Sequence, residues 1–149
     1  MATKISHMYI WVEDQDRALA FYTKKLGFEI RDDVRMGGRR WLTVGPPGQP
    51  DLRLALTAMS ALEPGAAAAV RDMQAKGTVN GGGMTTHDCH ATYRDLLAKG
   101  VSFVQEPADR PYGIEAIFED DSGNLWGVVE FRAPLAHHPA PHPGGRCVS

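Results

Sequence analysis

Polar and apolar side chains alternate along the stretch Lys4–Asp14, which predicts the first strand of the chain. Successive side chains of a strand point to opposite faces of its sheet. One face carries an imidazole, a phenol and an indole and the other is wholly apolar: His7, Tyr9 and Trp11 against Met8, Ile10 and Val12. The apolar face predicts a helix packed on it, whereas the mixed face is typical of a cavity wall.

The pattern becomes helical directly after this strand. Asp14 is suited to cap a helix over about Gln15–Leu26, in which apolar residues recur at spacings of three and four. Gly27 ends this helix. Three further strands are predicted from the alternation that follows: Phe28–Arg35, Arg39–Val44 and Asp51–Thr57. The order of elements in this first unit is therefore β-α-β-β-β.

The same order returns after a connector at residues 58–80, which contains a helix-prone stretch. Asp88 and Gly100 bound the second helix much as Asp14 and Gly27 bound the first. A proline-bounded loop is predicted at Glu106–Pro111. Strands are predicted on either side of the helix, at Gly81–Thr86, Val101–Gln105, Gly113–Phe118 and Leu125–Phe131. The chain is thus an internal repeat, with module 1 at about 4–57 and module 2 at about 81–131. We expect residues 132–149, rich in Pro and His, to be a disordered tail.

Composition narrows the class of protein. The chain has 149 residues and is 43% hydrophobic, which suffices for one domain with a true core. Its net charge is -2 and its basic residues are scattered, so no nucleic-acid partner is expected. We also expect no membrane segment and no signal peptide. The two cysteines, Cys89 and Cys147, suit a reducing compartment and predict a cytoplasmic protein.

The opening HMYIWVEDQDRALAFYTKKLGFEI, the closing DDSGNLWGVVE and the paired units resemble the vicinal oxygen chelate superfamily. This superfamily includes glyoxalase I, bleomycin-resistance proteins and extradiol dioxygenases. The resemblance covers about residues 4–131. It implies an α+β fold in which two βαβββ modules form a cup-shaped mixed sheet with helices outside. It implies no single activity, because this fold hosts many.

The resemblance also implies where a metal would bind. Metal-dependent members place a His, Glu or Gln ligand on the first and the last strand of each unit. The corresponding positions are His7, Ala55, Gly81 and Gly127, of which only His7 has a ligand-capable side chain. We therefore predict no metal and no other cofactor, with His7 as a hydrogen-bonded residue of the pocket wall. Other histidines are possible substitute ligands: His87, which clusters with Asp88 and His90 at the start of the second helix, and His137, His138 and His142 of the tail. His87 lies two residues past Thr85, at the end of the cup-facing side of its strand.

A cup without metal is expected to hold a flat, partly polar organic molecule. Glycines open its floor, and aromatic side chains with one fixed cation form its walls. The predicted ligand-binding residues are His7, Tyr9, Trp11, Trp41, Arg53 and Tyr112. The candidate acid/base residues are His7, His87 and Glu115, because imidazoles and buried carboxyls exchange protons near neutral pH.

Three functions remain open from the residues alone. The first is a metal-free protein that binds an aromatic or antibiotic-like small molecule. The second is a lyase, isomerase or dioxygenase of the same fold, using acid/base residues or a non-standard metal site. The third is a scaffold without a ligand. We expect a homodimer in each case, because two open half-cups leave exposed sheet edges, and whether the modules pair within one chain or between two is not decided.

Overall fold

A computed structural model describes residues 1–133 as two four-stranded mixed sheets with helices on one side. The strand order is β1-β4-β3-β2 in the N-terminal sheet and β5-β8-β7-β6 in the C-terminal sheet. The strands are β1 His7–Val12, β2 Glu29–Met36, β3 Arg39–Gly45, β4 Arg53–Ala58, β5 Asn80–Thr85, β6 Ser102–Arg110, β7 Gly113–Glu119 and β8 Leu125–Phe131. The helices are α1 Gln15–Ala20, α2 Pro64–Ala75 and α3 Cys89–Ala98. The predicted α+β fold of two repeated units is confirmed.

In each sheet the first and last strands of the unit run parallel, and the other neighbours are antiparallel. Each unit also starts its helix in the same way. The Asp14 carboxylate accepts from the backbone N–H of Arg17 at 3.0 Å, and the Asp88 carboxylate accepts from that of Ala91 at 2.9 Å. Such caps satisfy backbone donors that a helix leaves unpaired. Helix α1 continues as a π-helical turn over Phe21–Lys25.

One hydrophobic core joins the two units. Side chains from β1 and α1 pack with side chains of the C-terminal sheet, so that the Phe21 and Phe118 rings lie 6.3 Å apart and the Tyr22 and Trp126 rings 6.1 Å apart. Tyr22 and Phe118 are fully buried. The units are therefore not independent modules but share the apolar burial that stabilises both.

A buried polar cluster, here called the junction network, lies inside this core and comprises Tyr22, Asp120, Asn124 and Trp126. The Tyr22 hydroxyl donates to Asp120 Oδ2 at 2.6 Å and accepts from Trp126 Nε1 at 3.0 Å. Asn124 Nδ2 donates both to Asp120 Oδ2, at 2.8 Å, and to the Trp11 carbonyl of β1, at 2.9 Å. Burial, with the Asp120 carboxylate beside it, raises the pKa of Tyr22 well above its ordinary value, so the phenol stays a donor.

The predicted loop Glu106–Pro111 is wrong for most of its length. Strand β6 runs on to Arg110 and pairs with β7, as Ala108 does with Glu115. Pro107 is tolerated because β6 is an edge strand and its register shifts between Gln105 and Ala108.

Helices long and apolar enough to cross a membrane are absent from residues 1–133. The predicted tail and its three histidines fall almost wholly at residues 134–149, outside the described part of the chain.

Candidate functional site

A cavity of about 610 Å³ opens beside the N-terminal sheet. Its lining comes only from the first unit and the short turn after β4: Tyr9, Gln15, Met36, Gly38, Arg39, Arg40, Trp41, Leu42, Ala55, Leu56, Thr57, Ala58, Ser60 and Ala61. The volume is within the usual range for sites that bind a small organic molecule.

Two aromatic side chains, Tyr9 and Trp41, line the cavity and are held by His7. The His7 ring meets each of them edge to face, with ring centroids 5.2 Å apart in both pairs. His7 Nε2 lies 3.0 Å from the Tyr9 hydroxyl, and Nδ1 lies 2.7 Å from the Ser6 hydroxyl. His7 does not line the cavity itself, so its role in the geometry is to position both rings.

Part of the cavity lining comes from the stretch where β3 and β4 diverge. The two strands pair through Thr43 with Ala55 and Val44 with Leu54, and no further pair is formed toward their other ends within the described residues. The Gln15 amide bridges the gap: its Nε2 donates to the Leu56 carbonyl at 2.8 Å and to the Arg40 carbonyl at 3.2 Å. A side-chain amide thus replaces missing ladder bonds and leaves space between the strands.

Two arginines, Arg39 and Arg40, line the cavity, and Arg53 of β4 pairs with His7 of β1. Arg40 and Arg53 are both neutralised by carboxylates. Arg40 reaches Asp33 and Asp16, which raises the pKa of its guanidinium and lowers that of Asp33. Arg53 donates to Asp32 Oδ2 at 2.9 Å. A hydrogen bond from Thr43 and the Arg53 cation lower the pKa of Asp32. Arg53, predicted to bind ligand, is therefore paired with Asp32 and does not line the cavity.

The remaining predicted site residues lie elsewhere. Trp11 is half-buried outside the cavity lining. Glu115 is on β7 of the C-terminal sheet, and Tyr112 is in the turn between β6 and β7, where its ring centroid lies 6.2 Å from that of Phe131. Burial and the hydrogen bond to Glu115 raise the pKa of Tyr112. His87 is exposed in the turn between β5 and α3. The chain therefore gathers His7, Tyr9 and Trp41 at one place and the three C-terminal candidates away from it.

The repeat predicts Gly81 on the cup-facing side of its strand, together with Gly83, and this prediction is wrong. A Cβ built on Gly81 would lie 2.6 Å from Trp126 Nε1, so this glycine faces the core and not the open side of the sheet. The reason is a register shift in the β5–β8 pairing between Asn80 and Gly82. Gly83 instead pairs with Gly127, and a Cβ on Gly83 would meet nothing closer than 4.0 Å.

The residues at the superfamily's metal positions do not fit a divalent ion. Both ring nitrogens of His7 are within hydrogen-bond distance of Ser6 or Tyr9, and its partner across the β1–β4 pairing is the cation Arg53. Ala55 and Gly127 offer no side-chain donor, and Gly81 faces the core. Across residues 1–133, clusters of three or more His, Cys, Asp or Glu able to hold a metal are absent.

Gln15 and Arg39 line the cavity and were not identified from the sequence. Gln15 occupies the first position of a helix, where a polar residue is ordinary, so no sequence signal marked it. Arg39 follows the turn Gly37–Gly38 and shares a strand face with Trp41, which was a usable signal.

Comparison with known proteins agrees with this fold. The chain matches the family model of the Glyoxalase/Bleomycin resistance protein/Dioxygenase superfamily over residues 4–128. It is 38% identical over 130 residues to YurT of Bacillus subtilis (strain 168), covering 85% of this chain and 98% of that protein. The crystal structure of UcmS2 is 45% identical and superposes with a TM-score of 0.83, covering 87% of this chain and 99% of that one.

A second solved structure is TnmS3, an antibiotic binding protein from Streptomyces sp. CB03234. It is 28% identical, with a TM-score of 0.68, and covers 86% of this chain and 95% of its own. Together with the repeated β-α-β-β-β units and their two mixed sheets, these matches assign the fold and the family. The chain belongs to the glyoxalase/bleomycin resistance protein/dioxygenase superfamily.

Proposed function

We propose that this protein is a metal-free small-molecule-binding protein that holds a flat aromatic, antibiotic-like ligand in the cavity of its N-terminal sheet. The single observation that carries the proposal is the pair of aromatic walls. Tyr9 and Trp41 line an open cavity, and the His7 ring contacts both of them edge to face. Rigid aromatic walls bind planar ligands at low cost in conformational entropy.

The comparisons support this class of function. TnmS3, which is described as an antibiotic binding protein, has the same fold over most of both chains. The poor fit of the four metal positions also favours binding over metal-assisted chemistry. Geometry favours the competing acid/base enzyme less, since His87 and Glu115 lie away from the cavity that Tyr9 and Trp41 line. The third acid/base candidate, His7, contacts both aromatic rings but does not line the cavity.

We also propose that the protein is a homodimer in which a second copy covers the open side of the cavity. Tyr9 is 59% exposed in the single chain although it lines the cavity. The C-terminal unit, including Glu115 of β7 and Tyr112 in the turn before it, contributes nothing to that cavity. A partner's C-terminal sheet would supply the missing wall.

Sedimentation equilibrium at micromolar concentration is expected to give twice the chain mass. Tyr9→Arg, which places a charge on the covered face, is expected to shift the equilibrium toward the single chain. Lys76→Glu, at the residue directly after α2, serves as a control that changes charge outside the cavity lining. A single-chain mass at concentrations up to about 100 μM would contradict the dimer.

Replacing Trp41 with alanine is expected to weaken the binding of flat aromatic compounds by about tenfold. The reason is the loss of one stacking wall, which is worth about 1 kcal/mol or more. The measurement is a thermal-shift screen of the wild type, followed by calorimetric titration of the compounds that stabilise it. A ligand at 100 times its Kd adds about 2.7 kcal/mol to the free energy of unfolding.

Trp11→Ala is the matched control, because it makes the same change on β1 outside the cavity lining. Equal losses of affinity in Trp41→Ala and Trp11→Ala would show that the ligand binds outside this cavity. Stoichiometric metal in protein purified without an affinity tag, absent from His7→Gln, would contradict the metal-free proposal. Turnover of an aromatic compound that binds would favour the enzyme.

A further inference from the structure

We propose, on the basis of the proposed function, that the cavity selects planar aromatic ligands that carry a carboxylate, and that Arg39 is the residue that binds this group. The first observation is the charge of the lining. The lining includes two arginine residues, Arg39 and Arg40, and no Asp or Glu. An anion entering the cavity therefore meets no like charge among the lining residues.

The two arginines differ in how many of their donors are used. Arg40 donates to both oxygens of Asp33, at 2.9 and 3.0 Å, and to Asp16 at 2.6 Å, with only 10% of its side chain exposed. No pair of parallel N–H donors on this guanidinium is left to bind a ligand carboxylate. Arg39 is exposed, and among residues 1–133 it has no carboxylate within 4.0 Å and no side-chain hydrogen bond.

The strand geometry places Arg39 beside the aromatic walls. Arg39 and Trp41 are two positions apart in β3, so their side chains leave the sheet on the same face, whereas Arg40 leaves it on the opposite face. Arg40 is held there by Asp16 of α1. The two arginines therefore have different roles. Arg40 joins the N-terminal sheet to α1 through Asp16, and the Arg39 guanidinium remains available at the cavity.

An unpaired guanidinium next to an aromatic wall suits one ligand chemistry well. Its planar fork can donate two parallel hydrogen bonds to a carboxylate while the ring system of the ligand rests against Trp41. A carboxamide of the same shape has one acceptor oxygen and no charge, so it forms a weaker contact with the same fork. The ratio of the affinities for a carboxylate and for a carboxamide on the same ring system therefore measures the proposed selection.

Calorimetric titration with 2-naphthoate and 2-naphthamide tests the proposal on the full chain. We expect the wild type to bind the carboxylate about tenfold more tightly than the amide in low salt, since hydrogen bonds to charged groups are the stronger ones. Arg39→Gln is expected to reduce this ratio to near one by weakening the carboxylate alone. Arg35→Gln is the control, since Arg35 pairs with Arg40 in the β2–β3 ladder and does not line the cavity.

Each outcome decides between the claims. Equal binding of the two probes by the wild type would overturn the selection for a carboxylate and leave the proposed function standing. A tenfold ratio that persists in Arg39→Gln would overturn the assignment to Arg39. Failure of both probes to bind folded wild-type protein at millimolar concentration would contradict the proposed function itself, and the inference with it. Trp41→Ala is expected to weaken both probes by a similar factor and so to leave the ratio intact.

Discussion

Replacing Asp120 with alanine is expected to lower the free energy of unfolding by about 3–5 kcal/mol. Asp120 is 5% exposed and accepts four hydrogen bonds: one from the Tyr22 hydroxyl, two from Asn124, through its backbone N–H and Nδ2, and one from the Ser122 backbone N–H. Alanine leaves all four donors without their acceptor at the point where the two units meet. Each buried donor left unpaired costs about 1–3 kcal/mol, and partial rehydration limits the sum.

Urea denaturation of both proteins at pH 7 measures this loss as a lower midpoint. Asp95→Ala makes the same chemical change at an exposed ion pair with Lys99 in α3, and it should stay within about 0.5 kcal/mol of the wild type. A loss below about 1 kcal/mol for Asp120→Ala would contradict the structural role of the junction network. Because both units contribute to the network, we expect one cooperative transition and no separate melting of either unit.

Replacing Gly81 with alanine is expected to destabilise the fold by about 2–3 kcal/mol through overpacking. The added Cβ would lie 2.6 Å from Trp126 Nε1 and 2.7 Å from its Cε2. The indole cannot withdraw at low cost, since it is 5% exposed and its Nε1 donates to the Tyr22 hydroxyl. Strand β5 or the indole must move, and either movement disturbs the junction network.

Gly83→Ala is the matched control for this prediction. It lies on the same strand, but its added Cβ would be 4.0 Å from the Gly127 carbonyl oxygen, so the change should stay within about 0.5 kcal/mol. Urea midpoints and the near-ultraviolet circular dichroism of the tryptophans measure both variants. Equal stability of the two would show that Gly81 does not face Trp126.

The repeated units could be predicted from the sequence because their signals are local. Capping residues such as Asp14 and Asp88, the apolar spacing of the first helix and the alternation in β1 each depend on near neighbours along the chain. Strand β8, predicted at Leu125–Phe131, has those bounds in the structure. Local rules therefore recover the elements and their order.

The parts of the fold that could not be predicted depend on contacts between distant segments. Gly81 changes face because of a register shift, and nothing in its neighbourhood of three glycines marks where that shift falls. Pro107 suggested a loop because a strand accommodates proline only at an edge or a bulge. The sequence alone does not show that β6 is an edge strand with a register shift at this point.

The candidate site was only partly predictable from the sequence, because some of its contacts also join segments that are distant along the chain. Tyr9 and Trp41 follow from strand alternation and do line the cavity. The pairing of Arg53 with Asp32 joins two strands that lie apart in sequence, so sequence left Arg53 as a free cation. Gln15 lines the cavity only because β3 and β4 diverge there, which is a tertiary feature.

The hydrogen bonds at the end of β1 also determine how this sheet can meet other chains. β1 is an edge strand, and edge strands invite further strands to pair with them. The Trp11 carbonyl already accepts from Asn124 and Gln74, and the Glu13 backbone N–H donates to the Ser122 hydroxyl. Both groups face the same edge and neither is left for a new ladder. This end of β1 is thus protected against strand addition and uncontrolled aggregation, while its aromatic face stays open to a ligand.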